Sequence, residues 1–277
     1  MAEITAALVR ALREETGLPM MDCKQALSEC NGDKEAAKDH LRKKGIKLSE
    51  TRSGRDTAFG RFGIYAGVSK PAGAIVELKC ESAPVAGSAE FIQLANDLAQ
   101  QLATGSGATT ADELLAQASP SQKGKTLKDV KDEMFNRIRE VFNVGRMTKF
   151  SGTCGGYSHN SGTVSGVLVE VEGGTDEAAK DVSMHITAMR PLALKKEEID
   201  PAIVAKEREI LRDAALAEGK PANIVDKMVE GQLKKFFAEK VLTEQAFVKE
   251  NSISVGQYAD QAKMKIKQFV HWEMGKG

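Results

Sequence analysis

A pattern of two strand-like runs followed by a helix occurs twice in this chain, and it constrains the fold more than any other feature. In the first copy, apolar residues at 62–65 and 74–78 predict two strands joined by a turn at 71–73. A helical pattern follows at 91–98. Strands that are paired locally and then covered by a helix are typical of an α+β architecture.

The second copy lies further along the chain. Apolar residues at positions 141 to 150 predict a strand, and the polar, glycine-rich segment from Gly152 to Gly162 predicts a turn. A second strand is expected over 164–171 and a helix over 177–189. We therefore predict an α+β fold whose core contains two related subdomains.

Three short helices are expected before the first copy, within residues 1–45. Gly17 is placed to end the first helix in the left-handed conformation, and the pair at 31–32 ends the second. Asp33 is a favourable N-cap for the third helix, and Gly45 is expected to end it. Such a small segment predicts a compact helical module.

A helical hairpin is expected after the second copy, over residues 195–240. Pro201 and Pro221 each stand where a helix could begin. Two amphipathic helices joined by a short loop predict an antiparallel pair. The chain then returns to strand character at 246–248 and 266–274.

The charge distribution leaves two interpretations open for one segment. The whole chain carries 39 basic and 39 acidic residues, which argues against binding nucleic acid by bulk charge. Residues 42–55 nevertheless hold six basic residues against one acid, a net charge of +5. This segment is either a solvated linker or a contact for an acidic partner or RNA phosphates.

No motif for catalysis or metal binding stands out. The segment Gly124-Lys125-Thr126 ends like a phosphate-binding loop, but Ser119 occupies the position that requires the first glycine. No two cysteines have zinc-site spacing, and the four cysteines are too scattered for a disulfide framework. His159 is expected at the tip of a polar turn. We predict no cofactor and no metal, and a binding protein rather than an enzyme.

The composition predicts a cytoplasmic protein. No apolar run is long enough to span a membrane, and the first 15 residues lack the apolar region of a secretory signal. Neither a membrane partner nor a direct nucleic-acid partner is expected.

Several segments in this order resemble the elongation factor Ts family, the guanine-nucleotide exchange factors for elongation factor Tu. Residues 16–27 read TGLPMMDCKQAL and are similar to the family signature T-G-x-x-M-M-D-C-K-x-A-L. Further similar segments are GKP at 219–221, MVEG at 228–231, KKF at 234–236, LTEQAFV at 242–248, MHI at 184–186, RP at 190–191 and the surroundings of His159.

The resemblance implies a domain organisation for the chain. It comprises a three-helix module similar to ubiquitin-associated (UBA) domains, a core of two duplicated subdomains and a protruding antiparallel coiled coil. The implied boundaries are 1–45 for the UBA-like module, 46–58 for a basic linker, 59–140 for the core N-subdomain, 141–194 for the first part of the core C-subdomain, 195–240 for the coiled-coil hairpin and 241–277 for the end of that subdomain.

The resemblance also implies a function and a set of contact residues. The chain would bind elongation factor Tu carrying GDP, displace its Mg²⁺ and promote GDP release, with no active site of its own. Residues expected at the Tu interface are Met20, Met21, Asp22, Lys24 and His159.

One segment departs from the family pattern. After the strand that ends at Cys80, the family usually reads Q-T-D-F-V, and its aspartate and phenylalanine intrude near the Mg²⁺ site. This chain has Ser82, Ala83, Pro84 and Val85 at the equivalent positions, so it lacks both the carboxylate and the ring. The longer C-terminal helical module of the family is also expected to be absent.

The altered segment leaves an alternative function open. The chain could be a Tu- or ribosome-associated adaptor without efficient exchange, using the UBA-like module and the basic stretch at 42–55.

Overall fold

The computed structural model describes residues 4–52, 54–219 and 221–276. It confirms a mixed α+β fold and divides the chain into two compact units. Unit 1 draws on the described residues within 1–63, 76–148 and 274–277, and unit 2 on those within 64–75 and 149–273.

Unit 1 contains the helical N-terminal segment and most of the first sheet. Strands β1 (Phe59–Tyr65), β2 (Gly73–Cys80) and β3 (Asn143–Phe150) form this sheet in the order β1-β2-β3. The helices of the unit are α1 (Ala6–Thr16), α2 (Met20–Glu29), α3 (Lys34–Arg52), α4 (Ala83–Ala86), α5 (Ala89–Thr104), α6 (Ala111–Leu115) and α7 (Leu127–Ile138).

The first three helices have their own apolar core. Its centre is formed by side chains that are almost fully buried, among them Leu12, Cys23 and Leu27. Gly17 ends α1 in the left-handed conformation (φ 67°), as predicted. The Asp33 carboxylate accepts a hydrogen bond from the Ala36 amide at 3.0 Å, which caps the start of α3.

The prediction that Gly45 ends the third helix is wrong, because α3 continues to Arg52. Gly45 is buried against α7, and a Cβ atom at this position would lie 1.7 Å from the Asn136 Oδ1 atom. The glycine therefore allows two helices to approach closely. Residues 46–52, which were expected to be linker, are helical.

Unit 2 is built on an antiparallel sheet covered by a helix. Its elements in chain order are β4 (Cys154–His159), β5 (Ser165–Gly173), α8 (Asp176–Met189), a 3₁₀ turn (Lys196–Glu198), α9 (Pro201–Ala217), α10 (Ala222–Lys240), β6 (Ala246–Phe247), β7 (Glu250–Ser254), α11 (Val255–Gln261) and β8 (Met264–Glu273). The main sheet has the order β4-β5-β8, and β6 pairs with β7.

The predicted turn from Gly152 to Gly162 is wrong, because residues 154–159 form strand β4. This strand pairs with β5, with Tyr157 opposite Val167. A Cβ atom at Gly155 would lie 2.6 Å from the Ala179 carbonyl oxygen, so the glycine lets the strand lie directly under α8. The polar, glycine-rich composition thus reflects close packing. Strand β7 and helix α11 were not predicted.

The expected helical hairpin is formed by α9 and α10. Ala215 of α9 and Val225, Val229 and Leu233 of α10 are buried in one cluster. The outer faces are joined by ion pairs, including one between Arg212 and Asp226 with a nitrogen–oxygen distance of 3.0 Å. No helix in the described part of the chain is both long and apolar enough to cross a membrane.

A buried histidine links α8 to the end of the hairpin within unit 2. The Nε2–H group of His185 donates to the Gln245 Oε1 atom at 2.9 Å, and its Nδ1 atom accepts the Val248 amide at 3.1 Å. The Gln245 side chain donates in turn to the carbonyl oxygens of Glu239 at 2.7 Å and Met189 at 3.3 Å. Because Nδ1 accepts a hydrogen bond, the ring must be neutral.

We expect the stability of the protein to depend on this histidine at mildly acidic pH. Burial lowers the pKa of His185 below its ordinary value, so the unfolded chain binds more protons than the folded chain as pH falls below about 6.5. The free energy of unfolding should then fall by at most about 1.4 kcal/mol per pH unit until the lowered pKa is reached.

Urea denaturation between pH 7.5 and pH 5 measures this slope. The variant His185→Gln should be less stable at pH 7.5 but should have a flatter pH dependence. Equal slopes in the wild type and the variant would contradict the assignment.

Candidate partner-binding surfaces

Two neighbouring methionines are exposed at the start of α2. Met20 is 40% exposed and Met21 is 71% exposed. The flanking residues Leu18 and Cys23 are buried in the N-terminal core, which fixes the position of this turn. Large apolar side chains on an ordered, exposed helix turn are typical of a protein-binding surface.

The other two residues predicted on α2 have different environments. Lys24 is exposed, one helical turn after Met20 and therefore on the same face. Asp22 is half-buried, and its carboxylate accepts a hydrogen bond from the Arg139 guanidinium at 2.8 Å. The Lys44 ammonium lies 3.3 Å from the other oxygen. Asp22 is therefore held by contacts within unit 1.

The segment that departs from the family pattern forms the short helix α4. Ala83 and Pro84 are exposed in its first turn, and Val85 is half-buried. The Ser82 hydroxyl donates to the Glu140 Oε1 atom at 2.6 Å, and the Ser82 amide donates to the Oε2 atom at 3.1 Å. Because proline lacks an N–H group, the first helical turn is a position that it tolerates well.

The residues before α4 are also held in place. The Val141 amide donates to the Glu81 Oε1 atom at 2.8 Å, and the Arg55 guanidinium lies 3.2 Å from the other carboxylate oxygen. The Cys80 thiol donates to the Ser82 carbonyl oxygen at 3.2 Å. Burial, assisted by nearby carboxylates, raises the pKa of this thiol to about 11, so it stays protonated and unreactive at neutral pH.

His159 is the last residue of β4 in unit 2. Its side chain is half-buried, and the Nδ1 atom lies 3.2 Å from the Tyr157 hydroxyl. The prediction that His159 lies at the tip of a turn is therefore wrong, because it ends a strand. The hydrogen bond to Tyr157 orients its imidazole ring.

Most of the basic side chains in residues 42–55 have partners within unit 1. Ion pairs connect Arg42 to Asp129 at 2.6 Å, Lys44 to Asp22 and Arg55 to Glu81. The Arg52 guanidinium donates to the Arg139 carbonyl oxygen at 2.8 Å. Four of the six basic residues are therefore engaged, which weakens this stretch as a site for phosphates. The sequence gives no sign of this, because two of the partners lie 87 residues away.

The lysine of the loop-like segment also has a local role. The Lys125 ammonium pairs with the Glu133 carboxylate at 2.6 Å, and Thr126 caps the start of α7 together with Asp129. Among the described residues, no group of three or more His, Cys, Asp or Glu side chains is arranged to hold a metal ion.

Comparison with known proteins identifies the family to which the chain belongs. The model of a family described as elongation factor TS matches residues 65–276. The chain belongs to this family. The matched range contains Ser82–Val85 and His159.

Elongation factor Ts proteins of two bacteria are similar to almost the whole chain. The Methylococcus capsulatus protein is 42% identical over 277 residues, which covers 99% of this chain and 93% of the relative. The protein of a type E3 strain of Clostridium botulinum is 40% identical over 288 residues, covering 99% and 94%. A second Clostridium botulinum strain, Langeland, has a relative at 38% identity. These alignments therefore include the exposed turn at the start of α2.

The exposed methionines should contribute little to the stability of the folded chain. We expect Met21→Ser to change the free energy of unfolding by less than about 0.5 kcal/mol, because the side chain is mostly in solvent. Leu27→Ala, on the buried face of the same helix, should cost about 2–5 kcal/mol. Chemical denaturation compares the two. A large loss with Met21→Ser would mean that this methionine serves the core.

Proposed function

We propose that this chain is a translation elongation factor that binds elongation factor Tu carrying GDP and promotes release of the nucleotide. The observation that carries the proposal is the ordered, exposed turn of Met20 and Met21 in a chain that belongs to the elongation factor Ts family. Met20 and Met21 present an apolar surface suited to a protein partner, and the buried residues beneath hold this turn in place.

The mechanism we propose is thermodynamic linkage. A factor lowers the affinity of its partner for GDP only if it binds the nucleotide-free form more tightly, and GDP lowers the affinity for the factor by the same ratio. The chain would deform the phosphate site of Tu and displace its Mg²⁺, whose binding depends on close placement of oxygen ligands. Such an action requires surfaces of fixed shape and no catalytic acid or base.

We assign the contacts in three places. Met20, Met21 and Lys24 would dock on the nucleotide-binding domain of Tu, with Asp22 holding the turn in place. Ser82 to Val85 would lie against the Mg²⁺-dislocation region, and His159 would contribute a further contact. The partner is a folded protein in the cytoplasm, and we propose neither direct nucleic-acid binding nor membrane binding.

We also retain the domain organisation as a proposal. The three helices over 1–45 would form a UBA-like module joined by the segment 46–58 to the core. The core would consist of two duplicated subdomains, at 59–140 and at 141–194 with 241–277, with strand β3 of the second range pairing in the first sheet. Helices α9 and α10 would form a protruding coiled coil over 195–240, supported by their shared buried cluster.

Release of a fluorescent GDP analogue from Tu of the same organism tests the proposal. We expect the full chain to accelerate release in a concentration-dependent and saturable manner. The variant with Met20→Ser and Met21→Ser should require more protein for half-maximal release, because it loses apolar contact area. No acceleration by the folded wild-type chain at saturating concentration would refute exchange activity.

The altered segment predicts a gain of function. Ala83 and Pro84 are exposed, so Ala83→Asp with Pro84→Phe would present a carboxylate and a ring without disturbing the core. A buried phenylalanine contributes about 1–3 kcal/mol more than a smaller side chain, so maximal GDP release should become faster. Ala83→Asp with Pro84→Ala is the matched control, because it adds the acid without the ring.

The same release assay decides this prediction. An unchanged or slower rate with the aromatic variant, at equal stability, would show that this position does not limit exchange.

The second candidate is an adaptor that binds Tu or ribosomes without efficient exchange. The missing Asp-Phe pair at Ala83 and Pro84 favours it. The internal pairing of Arg42, Lys44 and Arg55 weighs against an RNA-bound version of this function. Co-purification from lysate with ribosomes or RNA but without Tu, sensitive to salt, would favour the adaptor.

A further inference from the structure

Two adjacent residues at the end of α7 contact both candidate surfaces of unit 1. Arg139 follows the last residue of α7 and adopts the left-handed conformation (φ 66°, ψ 19°). Its side chain binds Asp22 on α2, and the carboxylate of the next residue, Glu140, binds Ser82 at the start of α4. The left-handed conformation of Arg139 ends α7, and its amide donates to the Phe135 carbonyl oxygen at 2.7 Å.

We propose that Arg139 and Glu140 are positioning residues that fix the start of α2 and the start of α4 relative to each other. The binding role of the two surfaces rests on the proposed function. The contacts of Arg139 and Glu140 do not, because they lie within unit 1. No contact of Arg139 or Glu140 with a partner is required.

We call Arg139 and Glu140, with the contacts they make, the junction. Its first half, Arg139, holds α2. The Arg139 guanidinium and the Asp22 carboxylate are each only 25% exposed, so water competes less with this charged hydrogen bond than with a surface pair. The carbonyl oxygen of Arg139 accepts the Arg52 side chain at 2.8 Å. One residue thus binds both α2 and the end of α3, and it fixes the turn that carries Met20 and Met21.

The second half of the junction holds α4. The two oxygens of the Glu140 carboxylate accept the amide and the hydroxyl of Ser82, the residue directly before the helix. Val141 extends the junction by donating its amide to the Glu81 carboxylate. Since α4 is only four residues long and exposes Ala83 and Pro84, these bonds anchor the residue at which it begins.

A double-mutant cycle tests the first half. If Asp22 acts through Arg139, then Asp22→Asn, Arg139→Gln and the double variant should each raise the half-saturating concentration in the GDP-release assay by a similar factor, about fivefold. Lys128→Gln is the matched control, because Lys128 lies on α7 and pairs with Asp132 in the same helix. A double variant whose effect is the product of the single effects would overturn this half of the proposal.

Hydrogen–deuterium exchange tests the second half without relying on Tu. Glu140→Ala should accelerate exchange of the amides at 86–88, which close the turns of α4, by about tenfold or more. Glu133→Ala, which removes an exposed carboxylate from α7, should not do so. Unchanged exchange in Glu140→Ala would overturn this half.

Hydrogen exchange also separates the two proposals. If the wild-type chain fails to release GDP, exchange activity is refuted. Hydrogen–deuterium exchange then tests the junction at α2 as well as at α4. We expect Arg139→Gln to accelerate exchange of the amides at 23–25, in the first turns of α2, by about fivefold. Protection that is unchanged at this end would overturn the first half independently of any partner.

Discussion

Close approach between backbone segments is the constraint on which both units depend. In unit 2, strand β4 lies under α8 at Gly155, where a Cβ atom would come within 2.6 Å of the Ala179 carbonyl oxygen. In unit 1, Gly63 of β1 stands in the same relation to Ala95 of α5, with a Cβ position 1.8 Å from the Ala95 carbonyl oxygen. Each sheet is therefore covered by a helix at a distance that only glycine permits. Aromatic residues make up only 5% of the chain, but Phe62 next to Gly63 and Phe91 of α5 are fully buried at the contact in unit 1.

The same constraint explains which elements the sequence could predict. Helix ends with local signals, such as Gly17, Asp33 and Pro201, were predicted because a cap depends on a few neighbouring residues. Gly45 and Gly155 were misread as breaks, because their role depends on Asn136 and Ala179, which the chain places there only after folding. The candidate partner-binding surfaces also combine features with a local sequence signal and contacts between residues distant in the chain. The role expected of Met20 and Met21 rested on the family signature at 16–27, whereas the pairing of Asp22 with Arg139 joins residues 117 positions apart.

Many charged side chains of this molecule form ion pairs with oppositely charged neighbours. The net charge is zero, and three of the six basic side chains in the stretch 42–55 pair with acidic side chains from α2, α7 and the residue after β2. Such pairs are partly exposed and contribute modestly to stability, but they fix the orientation of the side chains that form them. Zero net charge is compatible with docking on a folded protein, where a buried apolar centre and local charge complementarity set the specificity.

The departure of α4 from the family pattern changes the physical means by which this segment could act. A phenylalanine at the position of Pro84 would insert a large ring into a partner, and the energy would come from burying that ring. Ala83 and Pro84 have little area to bury, but proline restricts the backbone and the Glu140 carboxylate holds the preceding residue with two hydrogen bonds. The segment therefore offers a stiff backbone of fixed position. A stiff segment loses little conformational entropy on binding, so a contact made by it needs less buried area than one made by a flexible segment.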